Sequence, residues 1–242
     1  MDSESITITD SLTIIGRMSF STSHAQCAAT LVKMATDRQN EIKASGTGLG
    51  KSHHDLEALV TSSIIMCASF MEVTANEFFS DCSDPKWNSD LKALPQERVK
   101  IAGDLWEAQI PRTAKYSTLE KFDVALRIFG KPILDKARNP RQDAYLVSVL
   151  RNALIHAEPV TSTLFTDEDN VTITVQEMEK KLNGKFELNP FEFSTSPFFP
   201  DKILSAGCAE WAFKSSVALS DHFFEIIGIK PHYDHIRSQF PT

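Results

Sequence analysis

Arg151, Asn152 and His156 fall within six residues of one another, in the run Arg-Asn-Ala-Leu-Ile-His. A guanidinium is permanently charged and planar, suited to a phosphate or to the charge that develops on phosphoryl oxygens in a transfer reaction. An imidazole changes charge around neutral pH and can act as base or acid. The amide of Asn152 can orient either one. On a helix, Asn152 and His156 are four apart and share a face, while Arg151 lies about 100° around the axis from Asn152. Arg151 therefore flanks that face, and needs a bent or shared site to converge with the other two. Pro159 disfavours helix at Glu158, which places His156 in the last turn, where the helix dipole favours a charged ring. A structural use of the same residues stays open: Arg151 paired with a carboxylate, and His156 capping helix-end carbonyls.

Other reactive residue types give weaker patterns. Residues 45–52 (Ser-Gly-Thr-Gly-Leu-Gly-Lys-Ser) approach a phosphate-cradling loop, with Lys51 and Ser52 as the would-be phosphate and magnesium contacts. Ser45 stands where that motif needs its first glycine, and helical sequence precedes it instead of a strand. A loop between helices is the expectation. His53-His54-Asp55 and His232-x-x-His235 have no partner pair at zinc-like spacing and are expected as exposed helix-end and tail residues, so no metal site is expected. No nucleophile elbow for acyl transfer occurs.

The elements that must position these residues read as helices. Residues 22–43 place Ala28, Leu31, Val32, Ala35 and Ile42 on one face. Residues 53–82 carry Leu56, Leu59, Val60, Cys67, Phe70, Val73 and Phe78 at three- and four-residue steps, with a polar stripe of Ser62, Ser69, Glu72 and Asn76. Such a helix would be about 45 Å long, the spine of a bundle. A third helix opens at Pro95, carries Val99, Ala102, Trp106 and Ile110 on one face and ends before Pro111. Ser117-x-x-Glu120 is a capping box for a fourth, which turns Leu119, Phe122, Leu126 and Phe129 inward and stops at Gly130. A fifth runs from Asn139 or Pro140 to Ala157 with the Arg-Asn…His run near its end, and a last one covers 203–227 and ends at Gly228. Residues 1–20 suggest a short β segment. Residues 160–200 suggest a β-rich insertion, in which Val171 to Val175 and Lys185 to Leu188 form a hairpin about Asn183-Gly184. The expected fold is one mainly α domain over residues 1–242, an antiparallel helical bundle with a small β-hairpin insertion after the motif helix.

Composition narrows the possibilities. With 42% hydrophobic and 24% charged residues the chain resembles an ordinary globular protein, not a disordered one. The richest apolar stretch, around Ile64 to Met71, is broken by Ser69 and Glu72, so no membrane span is expected. The acidic start, Met-Asp-Ser-Glu-Ser, lacks the basic charge of an export signal, and Cys27, Cys67, Cys82 and Cys208 form no close pair; reduced thiols in the cytoplasm follow. A net charge of −7 argues against whole-surface nucleic-acid binding. Between Arg112 and Arg141, however, eight basic residues oppose three acidic ones, a local +5, whereas 158–180 carries a local −5. The basic stretch is expected to form an anion-attracting surface beside the motif helix, the alternative being two ordinary solvated faces.

The run Arg151-Asn152-Ala153-Leu154-Ile155-His156 resembles the signature of the HEPN superfamily: Arg, four to six residues, then His, with Asn, His or Asp favoured after the Arg. Arg17 and His24 also fit the spacing, with Met18 after the arginine. The specific part of the resemblance is six residues; the helical pattern extends it over about 22–228. HEPN domains are helical bundles with the motif on a late helix. The resemblance implies a metal-independent endoribonuclease, pairing as a homodimer that joins two copies of the motif, cleaving RNA by 2′-hydroxyl attack to leave a cyclic phosphate. Arg151 would then hold phosphate and transition-state charge, His156 transfer protons and Asn152 orient, with Glu72 and Asn76 in support. No cofactor is implied. Such proteins serve as toxins or anti-phage effectors, under an antitoxin or sensor protein. A non-catalytic HEPN-like module that binds nucleotide or protein is the alternative.

Overall fold

The computed structural model describes residues 17–46, 48–111, 116–156 and 178–241. Six long helices carry the fold: α1 (Phe20–Ser45), α2 (His54–Ser83), α3 (Gln96–Glu107), α4 (Thr118–Ile128), α5 (Arg141–Ile155) and α6 (Ala206–Ile227). Short 3-10 turns at Pro85–Trp87, Ser89–Ala93 and His232–Gln239 join or close them. The protein is mainly α, and no strand occurs among the described residues.

The apolar spacing of α2 explains why it is the spine. Leu56, Val60, Ile64, Cys67, Met71, Ala75 and Phe78 recur every three or four residues, and each is at most 2% exposed. A stripe of that kind can be buried only by other helices, and α1, α3, α4, α5 and α6 all pack on α2. At its C-terminal end Phe78 meets Phe79, Phe129, Phe223 and Phe224 edge-on, with ring centroids 5.1–6.5 Å apart. Each such pair adds about 0.5–1.5 kcal/mol beyond area burial. Gly103 lets α3 approach closely: a β-carbon there would lie 2.6 Å from the Cys82 carbonyl oxygen. By length and composition α2 is also apolar enough to cross a bilayer, the one such helix among the described residues. Its serines hide this from a count of consecutive apolar residues, and the helices around it account for its hydropathy.

The expected helix ends hold closely. Ser117 and Glu120 make both halves of the capping box, and α6 ends at Gly228 with φ 95°, a value only glycine adopts readily. Ile110 lies beyond α3 and is 38% exposed, unlike Val99, Ala102 and Trp106. The expected hairpin needs correction. Its first arm, 171–175, lies outside the described residues, as do residues 1–16 of the β segment expected over 1–20; the remainder of that segment forms no strand, and Phe20 opens α1. Its second arm, 185–188, is irregular chain. Asn183 and Gly184 close a helical turn at 178–182, with Asn183 N–H donating to the Glu179 carbonyl (2.8 Å) and Lys185 N–H to that of Leu182 (3.1 Å). The segment is then held by side chains instead of a ladder: Phe186 packs on Trp211, the Ser205 hydroxyl donates to the Glu187 carbonyl (2.6 Å), and Lys185 reaches Asp143 (2.5 Å).

Candidate functional site

Helix α5 is fixed at its N-terminal end by charge and along its length by apolar contacts. Arg141 is buried and donates to Asp123 of α4 at 2.8 Å. Burial raises the Asp123 carboxyl above its ordinary value, and Arg141 opposes that shift. Ala144, Val147 and Leu150 are fully buried at three-residue steps. These contacts aim the next turn at a groove. Its volume is about 800 Å³, and it runs between α1, α2, α4 and α5.

Arg151 and Asn152 line this groove from α5. The helical offset between them is closed by a direct bond: Arg151 Nη1 donates to Asn152 Oδ1 at 2.9 Å. Among the described residues no carboxylate pairs with Arg151, so the ion-paired structural role available to it from sequence is not the one observed there. His156 is the C-cap of α5, its backbone N–H donating to the Asn152 carbonyl at 2.9 Å. Its ring is exposed but does not line the groove.

Glu72 lines the floor from α2, and it accepts from the Thr118 hydroxyl and from the ammonium of Lys121. Lys121 is 3% exposed and also donates to Asn76 Oδ1 at 3.0 Å. Within the polar stripe on α2, Ser62 is exposed, while Glu72 and Asn76 hold a buried cation. With Glu72 neutralised, the uncompensated charge facing the groove among the described residues is the Arg151 guanidinium. The floor and rim add hydroxyls, from Ser69, Ser117, Thr118 and Ser148. Tyr116 and the half-exposed Tyr145 supply two aromatic faces. His24 of α1 completes the wall.

No family model, curated protein or solved structure matches this chain. Its chemistry must be read from its own side chains.

Charge along the chain proves a poor guide to charge in space. Of the basic stretch, Arg112 and Lys115 lie outside the described residues, and Lys121 and Arg141 are interior and paired. Arg127, Lys131, Lys136 and Arg138 are exposed. They precede α5, whose rise from Arg141 to Arg151 is about 15 Å. None of these four lines the groove of Arg151.

The glycine-rich loop is packing, not a cradle. Gly50 N–H donates to the Phe191 carbonyl at 2.9 Å, and β-carbons at Gly48 and Gly50 would run into Phe191 and Phe193 at 2.5 and 2.6 Å. Lys51 and Ser52 border a cavity shared with Glu57, Glu192 and Asp201, a setting that repels phosphate. Burial and the neighbouring Glu192 and Glu57 raise the Asp201 carboxyl. The histidine pairs are likewise explained. His53 bonds the Gly48 carbonyl (3.1 Å), and His54 faces Glu57 (3.2 Å). His232 is not a free tail residue: its Nε2 lies 2.6 Å from Asp81 Oδ2, while His235 does lie exposed against the His232 carbonyl (2.8 Å). No group of three or more His, Cys, Asp or Glu able to hold a metal occurs among the described residues.

Sequence reasoning missed Lys121, His24 and the two tyrosines. Lys121 carried one signal: it follows the capping box directly, between Leu119 and Phe122, on the face that turns inward. His24 carried the spacing it shares with Arg17, and the tyrosines carried none.

Proposed function

We propose that the chain is a metal-independent endoribonuclease of HEPN type, acting on RNA at a composite site in a homodimer. One observation carries the reading: a guanidinium without a carboxylate partner among the described residues, bonded to Asn152, faces a groove large enough for a nucleotide. Arg151 holds the scissile phosphate and the charge that builds on its oxygens. Asn152 fixes the guanidinium by the 2.9 Å bond. His156, one turn on at the helix end, moves a proton. The 2′-hydroxyl attacks phosphorus, the 5′-oxygen leaves with a proton, and a cyclic phosphate remains. Tyr116 and Tyr145 offer stacking faces of the kind that favour unpaired bases, so the substrate is single-stranded RNA. A second copy brings its own Arg151 and His156 to the α5 end. A cytoplasmic toxin or anti-phage effector, held in check by an antitoxin or sensor protein, is the setting this chemistry fits.

The experiment is incubation of purified protein with single-stranded RNA in EDTA, beside folded Arg151→Ala and His156→Ala forms. Cleavage by the wild type alone, leaving a cyclic phosphate and sparing DNA, supports the proposal. Cleavage by both variants removes these residues from the reaction. A second reading, a nucleotide- or protein-binding module without catalysis, draws on the position of His156 outside the groove that holds Arg151. Binding of RNA without cleavage by any form would select it.

A further inference from the structure

The imidazole that shares the groove with Arg151 is His24, not His156. His24 belongs to a second Arg-x6-His run, in which Arg17 is consumed elsewhere: its guanidinium lies 2.8 Å from both the Asp81 carboxylate and the Ser80 hydroxyl. The histidine of that run is not consumed. Nδ1 of His24 is 2.7 Å from the Phe20 carbonyl oxygen. A carbonyl only accepts, so Nδ1 carries the proton. In the neutral ring Nε2 is then a lone-pair acceptor, and it bonds to none of the described residues. The backbone that carries the ring is anchored. Ser21 N–H donates to Glu77 Oε1 at 3.0 Å, Phe20 N–H donates to the same oxygen, and Ser21 and Ala25 are buried against the bundle. A fixed ring, with its tautomer set by a carbonyl and its other nitrogen open, is how a general base is presented.

We infer that His24 is a further catalytic residue, the base that takes the 2′-hydroxyl proton of the phosphodiester held by Arg151. This rests on the ribonuclease reading above. Nε2 accepts the proton as the 2′-oxygen–phosphorus bond forms. The phosphorus–5′-oxygen bond breaks, and the leaving oxygen takes a proton from the His156 imidazolium or from water. The products are a 2′,3′-cyclic phosphate and a 5′-hydroxyl, and His24 returns its proton to solvent. Within one protomer the groove then holds base and phosphate clamp together, and His156 is left the acid's part.

The test uses the full chain and two readouts. His24→Ala, shown by circular dichroism and thermal midpoint to be folded, should cleave single-stranded RNA about 100-fold or more slowly than wild type. It should lose the low-pH limb of the rate profile, and added imidazole should restore part of the rate, which a merely structural role would not allow. Independently, inorganic phosphate should shift the His24 ring resonances in the wild type and not in Arg151→Ala. If His24→Ala cleaves like wild type while Arg151→Ala does not, the base is not His24 and the ribonuclease reading stands. If the wild type does not cleave, that reading falls and takes the catalytic step with it. A ring resonance unmoved by phosphate overturns the placement of His24 beside the anion, whatever happens to RNA.

Discussion

Lys121 of α4 sends its buried ammonium across the helix interface to Glu72 of α2, and the two partners differ in their access to water: 3% for Lys121 against 38% for Glu72. Removing either partner therefore has a different cost. Glu72→Ala strands an ammonium beneath the groove with the Asn76 amide as its remaining partner, at about 3–5 kcal/mol. Lys121→Met leaves a carboxylate that water already reaches, at about 1 kcal/mol or less from the lost pair. Urea unfolding should rank the variants in that order. Equal losses would mean the pair does not act as drawn.

The second charge cluster predicts a pH dependence. Asp81 is 2% exposed and receives Arg17, His232 and, at 2.9 Å, Asn88. The hydrogen bond to Asp81 raises the imidazole of His232 above its ordinary 6.5; burial opposes this, Glu77 adds to it and Arg17 counters it. A raised native value means the folded state holds the proton more tightly than the unfolded chain. The stabilisation is complete below the ordinary value of 6.5 and fades as pH rises through the raised native one. The thermal midpoint of the wild type should therefore fall relative to that of His232→Gln across this window. A constant difference would contradict the linkage.

Position of charge predicts a split in kinetics. Arg127, Lys131, Lys136 and Arg138 are exposed, and none of them lines the groove of Arg151. Replacing all four by glutamine should raise KM for RNA and flatten its salt dependence, because they contribute long-range attraction. It should leave kcat unchanged. Arg151→Ala should lower kcat by about 100-fold or more, as expected for loss of a group that meets developing charge.

Thiol reactivity should single out one cysteine of four. Cys27 is exposed, while Cys67, Cys82 and Cys208 are buried. Burial pushes the thiols of Cys67 and Cys82 up to about 12 and raises that of Cys208 as well, so none of the three presents a thiolate at neutral pH. A chromogenic disulfide reagent should label one thiol rapidly in native protein and all four after unfolding. Cys27→Ser should remove the fast phase.

The helices were legible because their signals are local. An apolar stripe every three or four residues, a Ser117–Glu120 capping box and a glycine stop each act within a turn or two, so sequence alone placed the ends of α1 to α6 to within three residues. It also singled out Arg151 and Asn152 by type and spacing. The same locality misled at Asn183-Gly184, where a turn signal shared by hairpins and helix ends closes a helical turn.

What joins distant parts of the chain was decided by tertiary structure. Lys121 meets Glu72 across 49 residues, and His232 meets Asp81 across 151. No local pattern encodes such partners; they are chosen by which helix faces lie together once α2 is surrounded. The same packing takes two cations out of the basic stretch and brings His24 into the groove of Arg151. Desolvation supplies the physical reason: a charge carried inside must find its counter-charge there, and only the folded chain determines which one is within reach.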